Sequence, residues 1–256
     1  METKKFNVYI IVKTGLHIWA WNENVWIGEL DNSIIKDREW MPYIPWSSLK
    51  WKLRSLYELK ENKIWHNWWP YEFCQGKNWS DWWGDGDNLE IYDEISMFFG
   101  KSWKETNHLE NLWPTRFIFR DLKLAKKEDI ENLDIKNFAK EDLYVLEDYE
   151  SWQQEWQPLT EEKMEVSINR ETWTAWSGQF SPRTVERVFV WTVFKWELIV
   201  RLFKKPTEEK EKENLKKFWE NFEKLKKLLE NDYLWGMWTR GSGQVEIIFE
   251  EIKENW

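Results

Sequence analysis

The side chains in this chain that could do chemistry are few and far apart. Asp31 stands in the run Ile27-Gly28-Glu29-Leu30-Asp31-Asn32, where a loop carboxylate can act as a general base, hold a metal ion or cap its own loop. Asp37, six residues on, reads as structural. His17, in Gly15-Leu16-His17-Ile18, could bond a phosphate or stack on a base, or be a satisfied histidine at a strand end. Lys50 and Arg54 are i,i+4 neighbours on one helix face, with Lys52 turned away; such a pair can hold a phosphate backbone or simply be solvated. Arg170, Arg183 and Arg187 flank a hairpin expected over Thr172 to Pro182. Arg240, in Thr239-Arg240-Gly241-Ser242-Gly243, puts a guanidinium among N–H groups that small residues leave open, which suits a phosphate nest or an ordinary turn. His66, Cys74 and His108 lack ligand spacing, and one cysteine with three histidines leaves almost no room for zinc or disulfide chemistry.

The elements that must position these residues follow from periodicity. Phe6, Val8, Ile10 and Val12 alternate with Asn7, Tyr9, Ile11 and Lys13, which predicts a half-buried first strand. A loop, Gly15 to Pro45, leads to a helix capped by Ser47 or Ser48, with Leu49, Leu53, Leu56 and Leu59 on one face. Residues 64–88 have no period and read as an inserted loop. A strand is expected over Thr115 to Leu124, two short β runs over Glu186 to Lys204, an amphipathic helix over Glu208 to Asn231, a turn over Leu234 to Gly243 and a last strand over Gln244 to Ile252. That order predicts an α+β fold with a ferredoxin-like, RNA-recognition-motif-like core carrying large insertions.

The net charge of -9 counts against phosphate binding until its distribution is read. Glu128 to Glu165 holds thirteen acidic and three basic residues, net -10, so the remainder is -9 minus -10, or +1. Val166 to Pro206 is net +4, seven basic against three acidic, enough for a basic face. No stretch approaches the 18 or so apolar residues of a membrane span and no signal-peptide cleavage site follows the start, so the cytoplasm is the expected location. The oddest figures are Trp 24 and Gly 10.

Four segments together resemble the backbone subunits of the Csm complexes of type III-A CRISPR systems, within the RAMP superfamily. They are Thr14 to Asp37 (TGLHIWAWNENVWIGELDNSIIKD), Pro42 to Leu56 (PYIPWSSLKWKLRSL), Lys163 to Val188 (KMEVSINRETWTAWSGQFSPRTVERV) and Asp232 to Val245 (DYLWGMWTRGSGQV). The resemblance implies one RAMP domain over residues 1–256, with core parts near 4–62, 115–124 and 186–252. Insertions near 63–112 and 126–165 form a lid, and a thumb hairpin spans about 166–188. It implies an RNA-guided endoribonuclease that binds CRISPR guide RNA, stacks with other copies of itself and other Csm subunits, and cuts guide-paired target RNA at regular intervals with a divalent metal, Mg²⁺. The metal ligands stay unknown. Asp31 would be catalytic, and His17, Lys50, Arg54, Arg170, Arg183, Arg187 and Arg240 would contact RNA. RNA carries its own 2'-hydroxyl nucleophile, so one loop carboxylate and an in-line backbone can suffice. A guide-binding scaffold that does not cut is the alternative. A sugar-stacking, tryptophan-rich carbohydrate-binding protein is a second, from another class.

Where the family has glycine this chain repeatedly has tryptophan: Trp19, Trp46, Trp51, Trp173, Trp191, Trp235 and Trp238. A host that reads UGA as glycine would produce this pattern on conventional translation, leaving Trp219, at a helical position, genuine. Real indoles that stack on bases are the rival explanation.

Overall fold

The alternation that starts at Phe6 organises the fold. The computed structural model describes residues 2–19, 33–60, 99–100, 115, 117–131, 133–175, 182–202, 220, 223–234, 236 and 240–252. In chain order the elements are β1 (Glu2–Val12), α1 (Trp46–Lys60), β2 (Phe117–Ile118), β3 (Lys123–Leu124), α2 (Lys127–Glu131), a 3-10 turn (Lys140–Asp142), α3 (Leu146–Gln154), β4 (Glu161–Glu165), β5 (Arg183–Arg187), β6 (Val193–Leu202), the helical residues 223–230, called α4, and β7 (Val245–Glu251). β1 is central, pairing antiparallel with β6 on one side and β7 on the other. β2 and β3 pair with the far edge of β6, so the sheet runs β2-β6-β1-β7 with β3 also on β6. Among the described residues no helix is long and apolar enough to cross a membrane.

β1 is buried on both faces, not one. Phe6, Val8, Ile10 and Val12 meet Phe194, Trp196 and Leu198 of β6, Leu49, Leu53, Leu56 and Tyr57 of α1, and Leu225 and Leu229 of α4. Tyr57 takes the place expected of Leu59, which is exposed. On the other face Tyr9, Ile11 and Val193 are covered by Ala125, Ile130, Leu133, Leu143 and Val145. The acidic segment read as a lid insertion therefore begins as the second layer of the core, its carboxylates outward and its aliphatics inward. Each such aliphatic contributes about 1.5–3 kcal/mol on burial.

Two expected elements are built differently. The strand over 115–124 breaks at 119–122, where Leu122 leaves β6 to exchange hydrogen bonds with Ile44 at 2.9 and 3.0 Å. That detour brings the Asp121 carboxylate within 2.9 Å of the Trp46 N–H, so α1 is capped from across the fold rather than by Ser47 or Ser48, and Ser48 is buried. The paired strands of the expected thumb are β4 and β5, joined in register from Glu161 with Arg187 to Glu165 with Arg183. They lie nearer the hairpin base than Thr172 to Pro182, of which 176–181 fall outside the described residues. Helix residues before 220 and the insertion over 61–98 also lie outside them.

Candidate nucleic-acid interface

Beyond β1 the chain threads between the hairpin and the turn before β7. Lys13 and Thr14 donate backbone N–H groups to the Gln244 carbonyl, Gly243 donates to Gly15 at 3.2 Å, and Leu16 exchanges bonds with Val188. Gly15 has no room for a side chain: a Cβ there would lie 2.5 Å from Oε1 of Glu161 and 2.7 Å from Nε of Arg187, and the two residues pair through Nη2 of Arg187 at 2.7 Å. Gly243 has φ +87° and would press a Cβ to 2.7 Å from the Leu234 carbonyl. Lys52 of α1 joins the same region, with Nζ 2.8 Å from Asp232 and 3.6 Å from the centre of the Tyr233 ring. Lys52 thus faces the last segment, apart from Lys50. All four sequence segments meet here.

His17 is 3% exposed, and its Nδ1–H donates to the Glu186 carbonyl at 2.8 Å. That bond fixes the tautomer and makes the ring a link between segments. Arg54 is buried, donating to Glu58 at 2.8 Å and to the Gly100 carbonyl at 3.1 Å, so its guanidinium is committed to the fold and not displayed beside Lys50. Lys50 is half-buried, 5.3 Å from the Trp46 ring centre and 5.9 Å from that of Phe119. Burial, and then Arg54, lower its pKa. Arg187 is tied to Glu161. Arg240 pairs with Glu165, while Lys163 reaches Glu165 at 3.2 Å and the Arg240 carbonyl at 3.3 Å. Burial raises the Glu165 pKa, but Lys163 and Arg240 outweigh it and hold the carboxyl below its usual range. Arg170 is exposed and Arg183 half-buried.

Most of these cations already face carboxylates, so a polyanion would enter by exchange with Glu161 or Glu165 rather than by filling a bare basic groove. Asp31 lies outside the described residues. Asp37 caps its own turn, accepting from the N–H groups of Glu39 at 2.9 Å and Met41 at 3.0 Å. Among the described residues no group of three or more His, Cys, Asp or Glu is gathered for a metal. Glu186, the buried carboxylate of this region, is filled by donors and has little left to offer a cation. Sequence reading passed over Glu186, Lys36 and Thr160; the signal was the position of Lys36 inside the first segment and of Glu186 inside the third.

Comparison with known proteins gives four likenesses. The profile of the RAMP superfamily matches residues 24–246. The CRISPR system Cms endoribonuclease Csm3 of Methanocaldococcus jannaschii is 31% identical over 248 residues, 95% of this chain and 77% of that protein. Its namesake from Streptococcus thermophilus is 30% identical over 253 residues, 97% of this chain and 88% of that one. A chain in the cryo-EM structure of the Type III-B Cmr-beta bound to cognate target RNA superposes with TM-score 0.53 at 14% identity, over 98% of this chain and 61% of that one. At that identity the likeness speaks to fold alone.

Proposed function

Because this chain belongs to the RAMP superfamily, as a Csm3-like backbone subunit, we propose that it binds CRISPR guide RNA in a type III-A effector complex and cleaves the RNA paired to that guide at regular intervals. The observation that carries this reading is the convergence at the end of β1. Segments separated by as many as 230 residues in sequence, Thr14 and Gln244 among them, are hydrogen-bonded there, and they are the segments in which the family resemblance resides. Tight glycine approaches, a buried histidine and several ion pairs of arginine or lysine with carboxylates lie together there.

In this reading the core is ferredoxin-like, consistent with a β2-β6-β1-β7 order and α1 and α4 on one face. Asp31 is the catalytic carboxylate, and Arg170, Arg183, Arg240 and Lys50 hold the backbone of guide or target. Sequence specificity is left to base pairing, and the protein reads shape and phosphate. Target RNA, further copies of this chain and other Csm subunits are the partners, and the cytoplasm is the setting. A divalent cation, Mg²⁺, when bound, would stabilise charge on the scissile phosphate. The described residues hold no ligand set for it, so no step here depends on it.

Purification from a host that transcribes a CRISPR array tests the reading. The expected result is protein carrying guide-length RNA, with a raised A260/A280 ratio, that cuts a complementary RNA into evenly spaced products. RNA-free protein would overturn it. Guide-loaded protein that retains target but never cuts would replace it with the scaffold alternative.

A further inference from the structure

Glu186 is 2% exposed, yet its carboxylate belongs to no apolar cluster. Its donors come from separate segments: the Ile34 N–H at 2.9 Å, the Thr160 hydroxyl at 2.6 Å and the Lys36 ammonium, while its own carbonyl accepts from His17. His17 lies where the chain leaves β1, and Ile34 and Lys36 lie where it returns after residues 20–32. The two stems are themselves joined, by the Ile35 N–H to the Ile18 carbonyl at 2.9 Å and by a bridge between Trp19 and Ile34. We propose that Glu186 is the positioning residue of these two stems, fixing both against the β5 strand.

This rests on the reading of Asp31 given above. Asp31 stands three residues before Ile34 in sequence, so Ile34 is a close fixed point. A buried carboxylate holding a lysine and two neutral donors tolerates one arrangement, because moving any partner leaves a buried charge unsatisfied. Cleavage tolerates little movement either, since a displacement of about 1 Å can cost about 10²-fold in rate.

The experiment uses the reconstituted guide-loaded complex with Glu186→Ala and Glu186→Gln, the latter keeping the volume and an acceptor for Ile34. Three readouts are needed: single-turnover cleavage at saturating target, target affinity, and amide hydrogen exchange at Ile34 and Ile35. Expected are a fall of about 10²-fold in rate for Glu186→Ala and about tenfold for Glu186→Gln, target affinity within about threefold, and faster exchange at both amides. Should Glu186→Ala fail to fold, Glu186→Gln decides alone. Unchanged exchange in Glu186→Gln, or a rate and an affinity that fall in parallel, overturns the positioning role. A wild type that never cuts refutes the catalytic reading instead, and exchange still decides whether Glu186 holds the stems.

A different observation carries a second inference. Among the described residues the non-glycine positions with positive φ are Trp40 (65°), Trp156 (58°), Trp173 (55°) and Trp191 (69°), every one a tryptophan. Bulky residues rarely adopt that region, which glycine enters freely. All four indoles are exposed, from 41% at Trp191 to 94% at Trp156, so no packing repays the conformation. Trp152 and Trp196 behave otherwise: Trp152 sits 5.0 Å from Tyr144 and Tyr149, and Trp196 stacks on Phe119 at 5.3 Å. The geometry points to glycine at positions 40, 156, 173 and 191 in the protein as its host makes it, with UGA at those codons and UGG at 152 and 196. Mass spectrometry of native peptides tests this: glycine at the four and tryptophan at the two is the expected result. Indole at any two of the four would overturn it.

Discussion

Asp31 and Asp37 are the same residue type six residues apart, and the proposed reading gives them different uses. The Asp37 carboxylate is consumed by two backbone N–H groups of its own turn, so Asp37→Ala should lower stability by about 1 kcal/mol in urea denaturation and leave cutting unchanged. Arg54 shows where residue-level reading goes astray. Helical spacing places it beside Lys50, but nothing in that spacing says that Glu58 and the Gly100 carbonyl will claim it. Arg54→Ala should therefore destabilise by about 3 kcal/mol, because it removes a nearly buried ion pair with Glu58 and a hydrogen bond to the Gly100 carbonyl. A denaturation midpoint unchanged from wild type would contradict that. Glu186 was illegible for the same reason: its donors at 34, 36 and 160 are neighbours only after folding. Glycine was the easier reading, since Gly15 and Gly243 sit in motifs whose tightness the structure bears out.

At the scale of elements, sequence showed what periodicity can show. β1, α1 and β7 each run long enough for period 2 or 3.6 to emerge and are found close to their expected bounds, while β6, expected only as one of two short runs over Glu186 to Lys204, is a ten-residue strand. The second layer was hidden because α2 has five residues and carries Glu128, Asp129 and Glu131 around the single buried Ile130; acidity masked a core element. Leu143→Ala should accordingly cost about 2–5 kcal/mol, read by denaturant unfolding, whereas a detachable lid would give almost nothing. The tie between β4 and the turn at Arg240 has a pH signature. Because the folded Glu165 pKa lies below its unfolded value, the stability it contributes is present above the unfolded value, roughly 4.3, and is lost as pH falls through the folded value. Glu165→Gln should remove that dependence, and an NMR titration of the Glu165 carboxyl at or above the ordinary range would contradict the assignment.

The whole molecule carries -9 yet is proposed to hold a polyanion, and the resolution is spatial. Carboxylates of α2 and the segment after it stand outside the layer that covers the second sheet face, while the convergence at the end of β1 holds arginines in exchangeable pairs. Replacing Lys50, Arg170 and Arg183 with alanine should weaken guide binding whatever its sequence and flatten the slope of log K against log salt by about 2, at roughly 0.7 per phosphate no longer neutralised. The central claim is that this subunit cuts guide-paired RNA with a carboxylate from the loop after β1. It is tested most directly by assaying the reconstituted complex with Mg²⁺, wild type beside Asp31→Ala and Asp37→Ala, for target retention and evenly spaced products. The account predicts that Asp31→Ala retains target and loses about 10²- to 10⁴-fold in cutting rate while Asp37→Ala cuts like wild type; cutting by Asp31→Ala at the wild-type rate would contradict it.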